Sequence, residues 1–221
     1  MKILAQTLKI ATGAILLLIV IVIINTYRKT SNQIKTTPLP PTAIDEARVS
    51  KRLAEAVRLK TVSSRDDAEL NADEFKALHT LLEKEFPLVH KTLKRETVNG
   101  LSLLYTWQGE DHKAKPILLM AHQDVVPIAP GTEGDWKFSP FSGVVKDGAI
   151  WGRGAWDNKG NLLAQLEAVE MLLAKGFKPS TTIYLAYGAD EEVNGLRGAS
   201  AISKLLASRG VELAFVLDEG L

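Results

Sequence analysis

The feature that most constrains the fold is the run Ile117–Asp124, in which five apolar residues without a break are followed by His122 and, two positions later, Asp124. A short apolar run flanked by prolines, Pro116 before it and Pro127 after it, is typical of a strand buried on both faces of a parallel sheet. Polar residues directly after such a strand lie at its carboxyl end, where open α/β sheets bind their ligands. The run therefore predicts a central strand that ends in a ligand site.

His122 and Asp124 are two residues apart, so their side chains are expected to point the same way. Asp124 would then bind one ring nitrogen of His122 and leave the other nitrogen free for a metal ion. A simple surface hydrogen bond between a His and an Asp at a strand end would use the same two residues. The short H-x-D pattern alone does not separate these interpretations.

The rest of the chain from Ala43 onward predicts an α/β fold. Helical periodicity is present in residues 43–59, 71–85, 161–174 and 196–208, and strand-like apolar runs occupy residues 181–187 and 213–217. Two Gly-containing turns, at Asn99-Gly100 and Asp147-Gly148, predict hairpins within residues 91–107 and 143–151. The alternation of strands and helices predicts a mostly parallel sheet with helices on both faces and three buried parallel strands.

Acidic residues follow the other two predicted parallel strands. Glu191 and Glu192 come after the first, and Asp218 and Glu219 come after the second, while Asp157 lies in a Gly-rich turn before a helix. Because the carboxyl ends of parallel strands lie at one edge of the sheet, these groups are expected to converge near His122. A His with several carboxylates is a ligand set for a divalent ion, with zinc first and manganese or cobalt as alternatives.

Two metal ions about 3.5–4 Å apart can share one bridging carboxylate, and Asp157 suits that role because it lies in a turn flanked by glycines. The alternative is that Asp157 caps the following helix. Glu191 and Glu192 are adjacent and point in different directions, so one can bind metal while the other acts as a general base. A solvated pair of loop acids is the alternative for these two residues.

Four segments together resemble the M20 family of metallopeptidases, and they are most similar to its branch of carboxypeptidase S and N-acyl-amino-acid hydrolases. The segments are residues 120–127, 151–160, 190–193 and 217–220. They occur in the order and at the spacing of that family, and the resemblance covers residues 45–221. It implies a zinc-exopeptidase fold of the phosphorylase/hydrolase-like type and a di-zinc site that hydrolyses peptide or N-acyl amide bonds.

The resemblance also implies a role for each site residue. His122 and Asp218 would bind one zinc, Glu192 would bind the other, and Asp157 would bridge the two. Glu219 competes with Asp218 for its role, because family members place this acid at slightly different points.

Two further roles, both close to the metal ligands, follow from the same resemblance. Asp124 would orient His122, and Glu191 would be the general base. The peptide bond between Asp157 and Asn158 is expected to be cis, as it often is in the family.

The sequence departs from the family pattern in its extent. The family's catalytic domain continues further, supplies a final His ligand, and carries a lid domain. Neither is found in this sequence, and none of His79, His90 and His112 lies where the last ligand is expected. We therefore expect residues 43–221 to be the N-terminal part of a catalytic domain, and residues 1–221 alone to be inactive and poorly stable. A catalytically inactive, membrane-anchored fragment that binds a metal or a partner is the alternative to an enzyme, and a single-metal hydrolase of another family is a third possibility.

The N-terminus differs in character from the rest of the chain. The run Ile10–Ile24 holds no charge and predicts a transmembrane signal anchor over residues 1–29, with a cleaved signal peptide and a secreted product as the alternative. Residues 30–42 are a Pro-containing linker. The family resemblance implies an extracytoplasmic catalytic part. The net charge of +1 does not favour a nucleic-acid partner, and the absence of cysteine excludes disulfides and thiolate metal sites.

Overall fold

The computed structural model describes residues 2–31, 33–34, 36–38 and 40–219, and the chain divides into two compact units, residues 1–43 and 44–221. The first unit contains one helix, α1 (Lys2–Arg28), with a mean hydropathy of 2.7 over its most apolar window. By length and composition this helix can cross a membrane, and a signal sequence has the same properties. Of the predicted linker at residues 30–42, Asn32, Lys35 and Leu39 lie outside the described residues.

The second unit alternates helices and strands as the periodicity predicts. Its helices are α2 (Glu46–Arg58), α3 (Ala72–Glu85), α4 (Pro87–Thr92), α5 (Lys159–Ala174) and α6 (Ala199–Ser208). Its strands are β1 (Lys94–Val98), β2 (Ser102–Trp107), β3 (Ile117–His122), β4 (Val144–Lys146), β5 (Ala149–Trp151), β6 (Ile183–Gly188) and β7 (Phe215–Leu217). The short helix α4, which starts at a proline, is the element that periodicity did not predict.

The main sheet has the strand order β1-β2-β6-β3-β7, and four of its five strands run in one direction, which confirms a mostly parallel sheet with one antiparallel strand, β2. The strands β6, β3 and β7 are parallel, as expected, whereas β1 with β2 and β2 with β6 are antiparallel. The reason is the Asn99-Gly100 turn, where both residues have positive φ and fold β2 back along β1. The Asp147-Gly148 turn likewise joins β4 to β5 in a separate two-stranded sheet, so both predicted hairpins are confirmed.

Helices cover both faces of the main sheet, as predicted. On one face Leu103, Tyr105 and Tyr187 of β2 and β6 pack in a core with Leu78 of α3 and Leu162 of α5. This core continues to α2 and α4 and is the larger of the two.

On the opposite face, Leu104, Leu118 and Ala186 of the sheet pack with Ile202 and Leu206 of α6. The sheet is therefore the middle layer of three. The edge at which its parallel strands end lies between the helices of the two outer layers.

The prediction that all three parallel strands are buried is wrong for β7. Phe215, Val216 and Leu217 are each 50–58% exposed, because β7 pairs with β3 on one side and has no second strand beside it among the described residues. The apolar composition of a strand is the same at an edge and in the middle of a sheet. Its burial depends on a neighbour that the strand itself does not specify.

Lys159 fixes the start of α5 against the end of α2. Its side chain is fully buried, and its Nζ donates to the carbonyl oxygens of Ala56 at 3.0 Å and Leu59 at 2.6 Å. Burial lowers the pKa of Lys159 to about 7. The two carbonyls lie at the end of α2, where they also accept the backbone N–H groups of Leu59 and Thr61, respectively. The turn that carries Asp157, two residues before Lys159, is therefore held in place by α2.

Candidate metal centre

His122 lies at the carboxyl end of β3 and is 2% exposed. Its Nδ1 is 3.0 Å from the backbone oxygen of Asp124 and 3.3 Å from the carboxylate Oδ1 of the same residue. A carbonyl oxygen only accepts, so Nδ1 carries the proton of this hydrogen bond. Nε2 is then the nitrogen available to a metal ion, which is the arrangement that the metal-site interpretation of His122 and Asp124 requires.

Asp124 is completely buried, and it binds other groups besides the imidazole of His122. Its Oδ1 accepts the backbone N–H of Glu191 at 3.0 Å, and its Oδ2 accepts the backbone N–H of Glu192 at 3.1 Å. Oδ2 also accepts the hydroxyl of Ser63 at 2.6 Å. One carboxylate thus ties the end of β3 to the acidic turn after β6.

Asp157 meets His122 directly. Its Oδ1 is 2.9 Å from Nε2 of His122, although the Asp157 side chain is 60% exposed. The N-cap of α5 is Asn158 rather than Asp157. The structure thus favours a site role for Asp157 over the capping alternative. The peptide bond between Asp157 and Asn158 is cis, as the family resemblance implies.

Glu219 and Asp218 follow β7 and are placed differently. Oε1 of Glu219 lies 3.6 Å from Nε2 of His122, and Nδ2 of Asn158 donates to its Oε2. Asp218, the predicted ligand, accepts the backbone N–H of Glu219 at 2.9 Å through its Oδ1. The residue brought next to His122 and Asp157 is therefore Glu219, the competitor in the sequence analysis.

Glu191 and Glu192 form a single turn of 3-10 helix with Val193. Oε2 of Glu191 lies 3.8 Å from Nε2 of His122, and the Glu191 side chain is half exposed. Burial, with the charge of Asp157 added, raises the pKa of Glu192. Glu191 and Glu192 therefore differ in surroundings, as their adjacency predicts. Glu191 is half exposed and close to the imidazole, whereas Glu192 is affected by the negative charge of Asp157.

The remaining histidines have other partners. His79 pairs with Gln123 at 2.7 Å, His90 with Phe86 and Tyr105, and His112 with Gln108. Each of these ring nitrogens contacts a group outside the cluster around His122.

The donor set suits a divalent cation. One nitrogen of His122 and one oxygen each of Asp157 and Glu219 lie within 4.8 Å of one another, the one such group within the described part of the chain. Three protein ligands of this kind are the usual minimum for zinc. Burial opposes a charge on His122, but the hydrogen bond and charge of Asp124, with the charges of Glu219 and Glu191, outweigh it and raise its pKa to about 9. The cluster thus attracts positive charge, which a metal ion would supply.

Sequence reasoning missed two residues that contact this site. Ser63 lies in a polar segment after α2 that has no periodicity, so no local signal pointed to it. Asn158 lies inside one of the family-like segments, and its position next to Asp157 could have identified it.

Comparisons with known proteins agree with this geometry. Residues 118–220 match the family model described as Peptidase family M20/M25/M40. Carboxypeptidase S of Saccharomyces cerevisiae is 45% identical over 77% of this chain and 31% of its own length. The N-fatty-acyl-amino acid synthase/hydrolase PM20D1 of Bos taurus is 41% identical over 82% of this chain and 36% of its own length.

The crystal structure of human carnosine dipeptidase 1 has a similar fold, with a TM-score of 0.63 at 20% identity, over 80% of this chain and 39% of that one. The chain thus spans about a third of the two relatives in sequence and about two fifths of this structural neighbour. Its sequence motifs, its fold and its cluster of a histidine with carboxylates all point to one family. The chain belongs to peptidase family M20, among relatives that include carboxypeptidase S and PM20D1.

Proposed function

We propose that this chain provides the metal-binding part of a zinc-dependent hydrolase of peptide or N-acyl amide bonds. The observation that carries the proposal is the cluster of His122, Asp157 and Glu219, with Glu191 beside it. His122, Asp157 and Glu219 would hold the first zinc. Glu192 and Asp157 would contact a second zinc, which would bind more weakly because two protein ligands are fewer than zinc usually has.

The residues of the chain have separate roles in this hydrolysis. Bound zinc would supply Lewis-acid activation of a water molecule and of the substrate carbonyl. Glu191, which is half exposed and close to Nε2 of His122, would accept the proton of that water at Oε2. As the new C–O bond forms and the C–N bond breaks, Glu191 would return the proton to the leaving amine. Throughout the reaction, Asp124 would hold His122 and the turn that carries Glu191 in fixed positions relative to each other.

The substrate class follows from what the two kinds of relative share. One relative's name describes a carboxypeptidase and the other's describes a hydrolase of N-fatty-acyl amino acids. Both reactions cleave an amide whose nitrogen belongs to an amino acid with a free carboxylate. We propose a small substrate of this form, either a peptide or an N-acyl amino acid.

Helix α1 is proposed to anchor the chain in a membrane with the second unit outside the cytoplasm. Its length and hydropathy support a span, and the charge-free run has no small-residue cleavage site directly after it. Carbonate extraction should leave the chain in the membrane fraction, and protease added to intact cells should degrade residues 44–221. Release by carbonate would favour a cleaved signal, and protection from protease would reverse the orientation.

The decisive experiment measures zinc content and turnover. The full chain in detergent should bind one zinc tightly, and Asp157→Ala should bind none, because Asp157 contacts both proposed metal positions. Hydrolysis is measured with an N-blocked dipeptide and with a long-chain N-acyl amino acid. Because residues 1–221 alone are expected to be inactive, hydrolysis is judged with the rest of the family's catalytic domain attached. Hydrolysis in that longer protein supports the enzyme, whereas zinc binding without hydrolysis of either substrate there supports the inactive metal-binding alternative. Full zinc content in Asp157→Ala would contradict the proposed site.

A further inference from the structure

A short segment, residues 61–65, runs beside the end of β3 and contacts it in several ways. The hydroxyl of Thr61 donates to the backbone oxygen of Gln123 at 2.7 Å, and its carbonyl accepts the N–H of Val125 at 3.0 Å. Val62 forms an isolated parallel bridge with Val125. The segment is therefore fixed along residues 123–125, directly beside Asp124.

Ser63 uses this position to bind Asp124. Its hydroxyl donates its single proton to Oδ2 of Asp124 at 2.6 Å, the short distance of a hydrogen bond to a charged acceptor. The same carboxylate accepts the backbone N–H groups of Glu191 and Glu192 and lies against Nδ1 of His122. Removing the hydroxyl would leave Oδ2 with one donor and free the buried carboxylate to rotate.

The same segment also holds the acidic turn from a second direction. The guanidinium of Arg197 donates to the backbone oxygens of Ser64 at 2.5 Å and Arg65 at 3.2 Å. Arg197 and Gly198 in turn donate their backbone N–H groups to Asp190, the residue directly before Glu191. Residues 61–65 thus contact both the His122 side and the Glu191 side of the site.

We propose that Ser63 is a positioning residue of the site. By holding the Asp124 carboxylate, it fixes where Nε2 of His122 and the turn of Glu191 and Glu192 lie relative to each other. The inference rests on the proposed function for its consequence in catalysis, but its structural content, the coupling of Ser63 to Asp124, is independent of zinc. In this proposal the effect of Ser63 passes through Asp124, to which its hydroxyl donates.

The chain offers a matched control in the next residue. Ser64 has the same side chain, but its hydroxyl oxygen accepts the backbone N–H groups of Asp66 and Asp67 and does not contact Asp124. Ser63→Ala should weaken zinc binding about tenfold, the lower end of the effect of removing an outer partner of a metal ligand. Ser64→Ala should change zinc affinity less than twofold. Zinc affinity is measured by competition with a chromophoric chelator on the full chain in detergent.

A second readout does not need metal. Hydrogen exchange of the Glu191 and Glu192 amides reports whether Asp124 still holds them. In the zinc-free chain, these amides should exchange about tenfold faster in Ser63→Ala than in the wild type or Ser64→Ala. Ser63→Thr and Ser63→Val form a further pair of equal shape that differ in the hydroxyl, so Thr should resemble the wild type and Val should resemble Ala. This pair decides the question even if Ser63→Ala does not fold.

A double-mutant cycle separates coupling from general destabilisation. In an Asp124→Ala background, Ser63→Ala should have no additional effect on amide exchange, because the acceptor is already absent. Independent effects of the two substitutions would overturn the proposal, as would equal exchange rates in Ser63→Thr and Ser63→Val. If the wild type bound no zinc while the exchange results held, the proposed function would fail and the positioning role of Ser63 would stand.

Discussion

The strands β3 and β7 end at the same edge of the sheet but hold their site residues very differently. His122 and Asp124 after β3 are at most 2% exposed, and hydrogen bonds from three other segments of the chain fix them. Glu219 after β7 follows an exposed strand, and its own side chain is 36% exposed. In the proposed site, a ligand on the first strand would be in place before the metal binds, whereas a ligand on the second would lose conformational freedom on binding.

The largest effect is expected from replacing Glu191, the proposed general base, rather than a metal ligand. In a protein in which the rest of the family's catalytic domain follows this chain, Glu191→Gln should lower the hydrolysis rate by about 10²–10⁴, the range typical of a lost general base, because the amide cannot accept the proton. Zinc content should stay at the wild-type value, measured by atomic absorption on the purified chain. A collapse of zinc content would mean that Glu191 is a ligand and Glu192 the base.

A substitution of the buried Asp124, after β3, should weaken both metal binding and the stability of the fold. Asp124→Ala should lower zinc affinity about 10–100-fold, because His122 loses the partner that orients it. It also leaves two backbone N–H groups at Glu191 and Glu192 without their acceptor, which costs about 1–3 kcal/mol each. Chelator competition and urea unfolding measure the two effects. Unchanged unfolding with weakened zinc binding would show that Asp124 orients the imidazole without holding the turn.

Substitutions after the exposed strand β7 should have smaller effects, and they should distinguish Glu219 from its neighbour Asp218 as the metal ligand. Glu219→Gln is expected to lower zinc affinity about tenfold, since it removes one charged ligand whose placement is already costly. Asp218→Asn, its matched control, should change affinity less than twofold, because Asp218 contacts the backbone of Glu219 instead of His122. The reverse order of effects, again from chelator competition, would return the ligand role to Asp218.

The remaining prediction is a pH dependence of the stability of the zinc-free chain. His122 has a pKa raised from 6.5 to about 9, so its contribution to stability is fully present below pH 6.5 and is lost as pH rises through about 9. The loss should not exceed about 3 kcal/mol.

The matched variant for this measurement is His122→Gln, with urea unfolding from pH 6 to pH 10. Lys159 acts in the opposite sense, because its pKa is lowered to about 7 and stability therefore rises with pH above that value. Both proteins keep Lys159, so the difference between their stabilities isolates the His122 contribution. A difference that does not shrink with rising pH would contradict the raised pKa.

The same contrast explains what the sequence could predict. The convergence of His122 with the Glu191-Glu192 turn follows from a general property of parallel strands. Asp157 lies in the turn before α5, and the structure brings it to the same place. The choice between Glu219 and Asp218 does not follow, because the chain leaves β7 at Leu217 and strand alternation no longer sets the direction of side chains. The contact of Ser63 with Asp124 joins segments about 60 residues apart, and no local pattern encodes it.

The pairing of β3 with β6 also has a consequence for the order of folding. The β1–β2 hairpin closes over a three-residue turn, residues 99–101, and hairpins form in about 1–10 μs. In contrast, Ile117 of β3 pairs with Ile183 of β6, and a whole helix must be placed between them before that contact forms. Contacts between distant residues slow folding, because the loop must lose its entropy first. The residues of the proposed metal centre lie across this distant pairing, so we expect them to come together later than the β1–β2 hairpin forms.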